Sequence, residues 1–313
     1  MRHVLSFDVE EYFQVESLRG TIGRDDWERW PSRVEPVTAA LLDLLDEAGV
    51  RATFFVLGWV ARRHPRLVRA IADRGHEVAS HGYGHRMATD MGRREFAEDV
   101  RRARLLLSDL AGQDVLGYRA PTFSVTPANP WAFDVLREQG HGYDSSVFPI
   151  RHDRYGWPDF PPRPVRIVWP DGGVLDEYPL ATLDTPFGRV PVAGGGYLRA
   201  LPEPVFRWAW RRLTRAGRPS VFYLHPWELD ADQPRVPVGW VNRWRHYVGL
   251  SGTAGRLRRL LREFRWTSFR ELRAAARPLT RLARESWGEP QRESETVGTS
   301  RRPRITKSRV PAR

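Results

Sequence analysis

The sequence predicts an α/β protein built on a parallel sheet or barrel. Three observations carry this. Short β-prone apolar runs alternate with helical patterns from residue 3 to about residue 138, and the alternation resumes after residue 203. Acidic residues and histidines stand where the apolar runs end, which is where parallel α/β folds gather their active sites.

The first run, residues 3–7, is short, apolar and followed by FDVEE, as in a buried strand with polar groups at its C-terminal end. A helix over 36–48 is predicted from Val37, Leu41, Leu44 and Leu45 at helical spacing, and Gly49 stops it. Strand 52–56 (ATFFV), helix 65–73, strand 76–80, helix 93–110, strand 115–118 and helix 131–138 continue the pattern. Between 148 and 196 the periodicity fails under frequent Pro, Gly and Trp. We read a long excursion there, with hairpin strands near 166–169 and 175–180. Helix 203–216, strand 220–224, helix 253–264 and a strand-like 266–269 complete the domain, taken as residues 1–275. Residues 276–313 read as a basic, disordered tail.

Composition narrows the chemistry. With no cysteine, a transition metal has only imidazole and carboxylate to bind it. The formal charge of +12 comes from Arg spread along the chain, since Lys307 is the only lysine; nucleic acid is therefore not expected as a partner. The basic tail is open to a membrane surface or an acidic polymer. No apolar run approaches the roughly 18 residues of a membrane span, and charge follows Met1 too soon for a signal peptide, so a cytoplasmic protein is expected.

Five segments carry candidate chemistry. In Ser6-Phe7-Asp8-Val9-Glu10-Glu11, Asp8 and Glu10 point the same way from an extended strand, a costly pairing that a cation or a shared proton relieves. His81-Gly82-Tyr83-Gly84-His85 brings two imidazoles to one turn. Two histidines with one carboxylate leave a coordination position open for water. Tyr118-Arg119-Ala120-Pro121-Thr122-Phe123, Tyr143-Asp144-Ser145-Ser146 and Tyr223-Leu224-His225-Pro226-Trp227 each follow a strand-like run.

In this order, FDVEEYF, SHGYGH, YRAPTFS, YDSSVFP, AGGGYLR and FYLHPWE resemble the polysaccharide deacetylases, a carbohydrate esterase family. They look most like the branch tied to exopolysaccharide gene clusters, which carries a C-terminal extension. The resemblance runs from about residue 3 to 272. It implies a distorted (β/α) barrel of fewer than eight repeats, (β/α)7-like, with inserted hairpins, and removal of N-acetyl groups from a glycan. By the same resemblance Asp8 is the general base. Glu10, His81 and His85 hold a divalent metal, zinc. Arg119 holds Asp8, His225 is the general acid, and Asp144 orients His225, with Asp153 and Asp159 as other carboxylates able to do so. The oxyanion is stabilised by the metal and a backbone N–H near Thr122. Many members place two aspartates side by side where this chain has Asp8-Val9-Glu10, and an aromatic residue where it has Thr122, with Phe123 available instead.

Tyr197 and Trp227, together with Trp157 and Trp169, are candidates to stack on sugar rings, against the alternative that they pack loops. Gly194-Gly195-Gly196 lacks the Lys-Ser/Thr of a phosphate loop and reads as close backbone packing. His152 is a candidate to line the cleft. Rival functions are a cyclic amide or ureide hydrolase of the same superfamily and a catalytically silent carbohydrate-binding barrel. A glycosidase is disfavoured, because two carboxylates on one strand face do not flank a glycosidic bond. Oligomeric state is open.

Overall fold

The structure is a computed structural model that describes residues 1–152, 154–275 and 278–288. Its first strand, β1 (His3–Val9), has Val4, Leu5, Phe7 and Val9 fully buried, with Ser6 and Asp8 buried between them. A strand enclosed on both faces is what a central position in a parallel sheet requires.

The remaining strands are β2 (Thr53–Val56), β3 (Glu77–Ser80), β4 (Gly117–Tyr118), β5 (Tyr143–Asp144), β6 (Val165–Val168), β7 (Val174–Glu177), β8 (Thr182–Thr185), β9 (Gly188–Pro191), β10 (Val221–Leu224), β11 (Trp266–Thr267) and β12 (Thr280–Ala283). β10, β1, β2, β3, β4, β5 and β7 lie side by side and pair in parallel. A further parallel bridge, Leu180 to Val221, joins the chain after β7 to β10 and brings the sheet round into a ring of seven. This is the (β/α)7-like barrel that the sequence implied. β11 pairs with β1 below the ring, β6 returns antiparallel on β7, and β8 with β9 form a separate hairpin.

Helices Val34–Ala48, Gly58–Arg63, Pro65–Asp73, Arg93–Ala111 and Trp131–Glu138 fill the crossovers between the first five strands. Gly49 ends the first of them with φ 62°, the left-handed conformation that glycine adopts without steric cost. Five more helices come later in the chain, Gly195–Ala200, Glu203–Arg215, Trp240–Tyr247, Thr253–Glu263 and Phe269–Ala274. Among the described residues no helix is long and apolar enough to cross a membrane.

Within residues 276–313, expected as a tail, residues 278–288 include a further strand and a short helical turn. β12 pairs in parallel with β6, from Thr280–Val165 to Ala283–Val168. Beyond it Arg284 is buried, with Nε and Nη2 each donating to Asp134 at 2.7 Å, and Trp287 packs against Phe133, Trp157 and Phe160. The basic tail proper, from 289 on, lies outside the described residues, as do 276 and 277. Removing Asp134 would leave the Arg284 charge buried and the Trp169 indole N–H, now 2.8 Å from Asp134, without its acceptor. Asp134→Ala is expected to cost about 3–5 kcal/mol, read as a lower midpoint in denaturant unfolding.

Candidate active site

Five strands of the ring deliver candidate residues at or just beyond their C-terminal ends. β1 ends on Asp8 and Glu10, β3 on His81, β4 on Arg119, β5 on Asp144 and β10 on His225. All but Asp144 meet at one cleft or directly beneath it, with Thr122 and Phe123 on its wall.

The turn that carries the histidines is built by its neighbours. Asp99, on helix Arg93–Ala111, accepts from the backbone N–H groups of Tyr83 (2.7 Å) and Gly84 (3.1 Å). Arg24 donates to the carbonyls of Gly84 and His85. Held this way, His85 takes φ 49°, and on the same cleft Thr122 and Phe123 take φ 58° and 52°. These are the three non-glycine residues with positive φ among the described residues, and such strain collects at functional sites.

Glu10, His81 and His85 are buried, and one ligand atom from each lies within 4.8 Å of the others. His85 Nε2 is 2.5 Å and His81 Nε2 3.9 Å from Glu10 Oε2, yet that oxygen has no hydrogen-bond partner. His81 Nδ1 lies 2.9 Å from the Arg119 carbonyl. That contact assigns its proton to Nδ1 and leaves Nε2 as a lone-pair donor, the usual arrangement of a metal-ligating imidazole. Burial holds His81 down to about pKa 4, so the ring is neutral near pH 7. Burial would raise the Glu10 carboxyl, but His85, His225 and His81 together hold it down to about 2. A buried orphan carboxylate oxygen facing two imidazoles is a donor set that fits a divalent cation.

Asp8 stands beside this cluster, accepting from Arg119 Nη1 at 2.7 Å. Arg119 is itself fully buried, donating also to Ser6 Oγ, the Ser145 carbonyl and Ser145 Oγ.

His225 is oriented by a residue that the sequence reading did not single out. Its Nδ1 is 2.9 Å from Glu228 Oε1, and Glu228 accepts in turn from Arg199 Nε at 2.7 Å. Glu228 also takes the His225 backbone N–H, closing a capping box around Pro226. The signal was present in HPWE, a glutamate three residues after the cap with proline at the first helical position. Burial would lower His225, but Glu10 and the hydrogen-bonded Glu228 outweigh it and raise it to about 9. Burial would likewise raise Glu228, and Arg199 and His225 hold it down to about 2. Gly195 makes room, because a Cβ there would fall 2.3 Å from Glu228 Oε1; the close packing expected of the glycine triplet holds at Gly194 and Gly195, while a Cβ at Gly196 would meet nothing within 4 Å.

Asp144, expected to orient His225, is occupied elsewhere. It accepts from Ser146 Oγ at 2.6 Å, and Ser146 Oγ accepts from the Ala120 N–H, so Asp144 steadies the Arg119 segment. Burial pushes Asp144 up to about 6, and burial together with the neighbouring Asp144 carboxylate raises Glu177 well above the usual carboxylate range. Asp153 lies outside the described residues.

The stacking candidates also resolve differently. Trp227 is 6% exposed, lies against the imidazoles of His225 and His246 at 5.1 and 4.4 Å, and directs its indole N–H at Glu10 Oε1 (3.4 Å). Its ring is part of the wall and offers no open face. Tyr197 is half-buried and hydrogen-bonds Tyr155, which lines the cleft in its place. Trp157 and Trp169 are buried in the packing around Phe133 and Asp134. His152 stacks on Tyr155 at 3.8 Å.

Comparison with known proteins agrees with this geometry. Residues 25–140 match the polysaccharide deacetylase family, and residues 145–274 match a domain of unknown function, DUF3473. A chitooligosaccharide deacetylase of Sinorhizobium fredii is 42% identical over 103 residues, 32% of this chain and 44% of that protein. The matches span less than half the length of the first curated relatives. A crystal structure named as a polysaccharide deacetylase from Mycobacterium smegmatis has the same fold, with TM-score 0.62 and 22% identity over 90% of this chain and 93% of that one. The structure of an allantoinase shares the fold as well, with TM-score 0.58 and 18% identity over 89% of this chain and 92% of that one. Residues 25–140 thus carry a polysaccharide deacetylase domain, continued over residues 145–274 by the DUF3473 domain, on the fold shared with the Mycobacterium smegmatis structure.

Proposed function

We propose that the chain is a metal-dependent N-deacetylase of a glycan bearing N-acetylated amino sugars, and that its polymer is an exopolysaccharide. The observation that carries this reading is the buried Glu10–His81–His85 cluster with Asp8 on one side and His225 on the other. The exopolysaccharide assignment rests on the resemblance of the six sequence motifs to that branch of the family.

Glu10 and the Nε2 atoms of His81 and His85 would hold the cation, zinc in this reading. When bound it supplies Lewis acidity for the acetamide carbonyl and acidifies water at the site. The chain's own groups divide the proton traffic. Asp8, immobilised by Arg119, faces the cleft as an acceptor and takes the proton of the attacking water. His225 presents Nε2 to the cleft with Nδ1 fixed on Glu228, and delivers a proton to the leaving nitrogen, which departs as an amine. The Thr122 backbone N–H is the protein's donor to the developing oxyanion. Acetate and a free amino sugar result.

Opening of a cyclic amide or ureide is the rival chemistry on this fold, and one assay separates the two. Purified protein is expected to release acetate from N-acetylglucosamine oligomers, to stop after chelation, and to resume when zinc is restored. Turnover of a cyclic ureide with no acetate from any oligomer would replace the deacetylase reading.

Asp8→Asn is expected to lower kcat by about 10²–10⁴-fold with metal content near that of the unsubstituted protein. His81→Ala is expected to lose the metal, as elemental analysis of the purified variant would report. Glu228→Gln is expected to lower kcat by about 10- to 100-fold while retaining metal, measured as acetate release at saturating substrate.

A further inference from the structure

The helix Trp240–Tyr247 carries two of the most exposed tryptophans among the described residues, Trp240 at 82% and Trp244 at 56%. Positions four apart are neighbours on a helix surface, so the two indoles lie on one side, separated by about 6 Å along the axis. At 100° per residue, Trp240, Val241, Trp244 and Arg245 fall within one arc of about 140°. Every one of these four is exposed. The opposite side is buried, with His246 stacked on Trp227.

This stripe runs into the cleft. Arg245 and His246, from the same helix, line its wall beside His225. The helix is also fastened there. Arg199, which holds Glu228, donates to the carbonyls of Arg245, His246 and Val248. The cleft itself is small, about 260 Å³, at the low end of ligand sites. A glycan whose reacting residue occupies it must lay its neighbouring residues on the surface outside.

We propose that Trp240 and Trp244 form a glycan-binding platform that receives the sugar residues flanking the one in the cleft. The proposal rests on the deacetylase reading of that cleft. Indole faces suit the apolar faces of sugar rings, and an exposed Trp pair continuous with the cleft wall lies where a chain leaving it can rest. Arg245, exposed within the same arc and lining the cleft, adds hydrogen-bond donors for ring hydroxyls.

The test compares the unsubstituted protein with the Trp240→Ala/Trp244→Ala and Trp240→Phe/Trp244→Phe double variants. The substrates are N-acetylglucosamine oligomers of two and six residues, followed by calorimetric binding and acetate release. For the alanine pair, affinity for the hexamer is expected to fall about tenfold, with the loss in KM and not kcat. The dimer should be unaffected, and the phenylalanine pair should restore most of the hexamer affinity. Unchanged hexamer binding in the alanine pair, or an equal loss on dimer and hexamer, overturns the platform. So does loss of co-sedimentation with phosphatidylglycerol vesicles alongside intact hexamer binding, which would assign the face to lipid. If the unsubstituted protein releases no acetate, the deacetylase reading fails, while the binding comparison still decides whether Trp240 and Trp244 hold a glycan.

Discussion

The Arg119 guanidinium is fully buried, and a charge in that position persists only while every donor is matched. Its partners come from one strand and the segment after another, namely Ser6 and Asp8 on β1 and Ser145 beyond β5. Its backbone carbonyl, meanwhile, faces His81 Nδ1. One residue therefore fixes both the Asp8 carboxylate and the tautomer of the His81 imidazole. The separation of Asp8 from His81 is thereby tied to residues at the C-terminal ends of β1, β3 and β4. The adjoining Asp144–Ser146 contact serves the same end from below, by anchoring the Ala120 N–H.

On the other side of the cleft a second buried network does comparable work for His225. Arg199, Glu228 and His225 form a chain of charge-assisted contacts, which are stronger than neutral ones. Arg199 also collects carbonyls at the C-terminal end of helix Trp240–Tyr247, where the backbone dipole favours a cation. The wall of the cleft and the orientation of the histidine are thus set by the same side chain.

The central strands and the crossover helices could be read directly from periodicity. Helices 65–73 and 131–138 match the observed Pro65–Asp73 and Trp131–Glu138, since both have a dominant apolar face and clear stops. The Glu10–His81–His85 cluster and the Arg119–Asp8 pair were legible because their residues stand at or near strand ends and the motif order resembles a family. Glu228 was missed because its partner is three residues away, so its role depends on the cap geometry and not on strand alternation. Helix Trp240–Tyr247 and the β8–β9 hairpin were missed where Pro, Gly and Trp obscure any period. Trp227 was misjudged for a related reason. Sequence places an aromatic beside His225, but only packing against His246 shows that its face is already taken.

β12 sits on the open margin of the sheet, outside the seven-strand ring, and covers one side of β6. It is short, with Arg281 among its four residues, and largely exposed. Short, charged margins of this kind discourage strand-to-strand association between molecules. A chain ending before Thr280 would instead offer the backbone donors and acceptors of β6, flanked by apolar Val165 and Ile167, to any other extended segment in solution. By covering that edge, β12 bears on the colloidal behaviour of the chain, a matter separate from the chemistry of the barrel it borders.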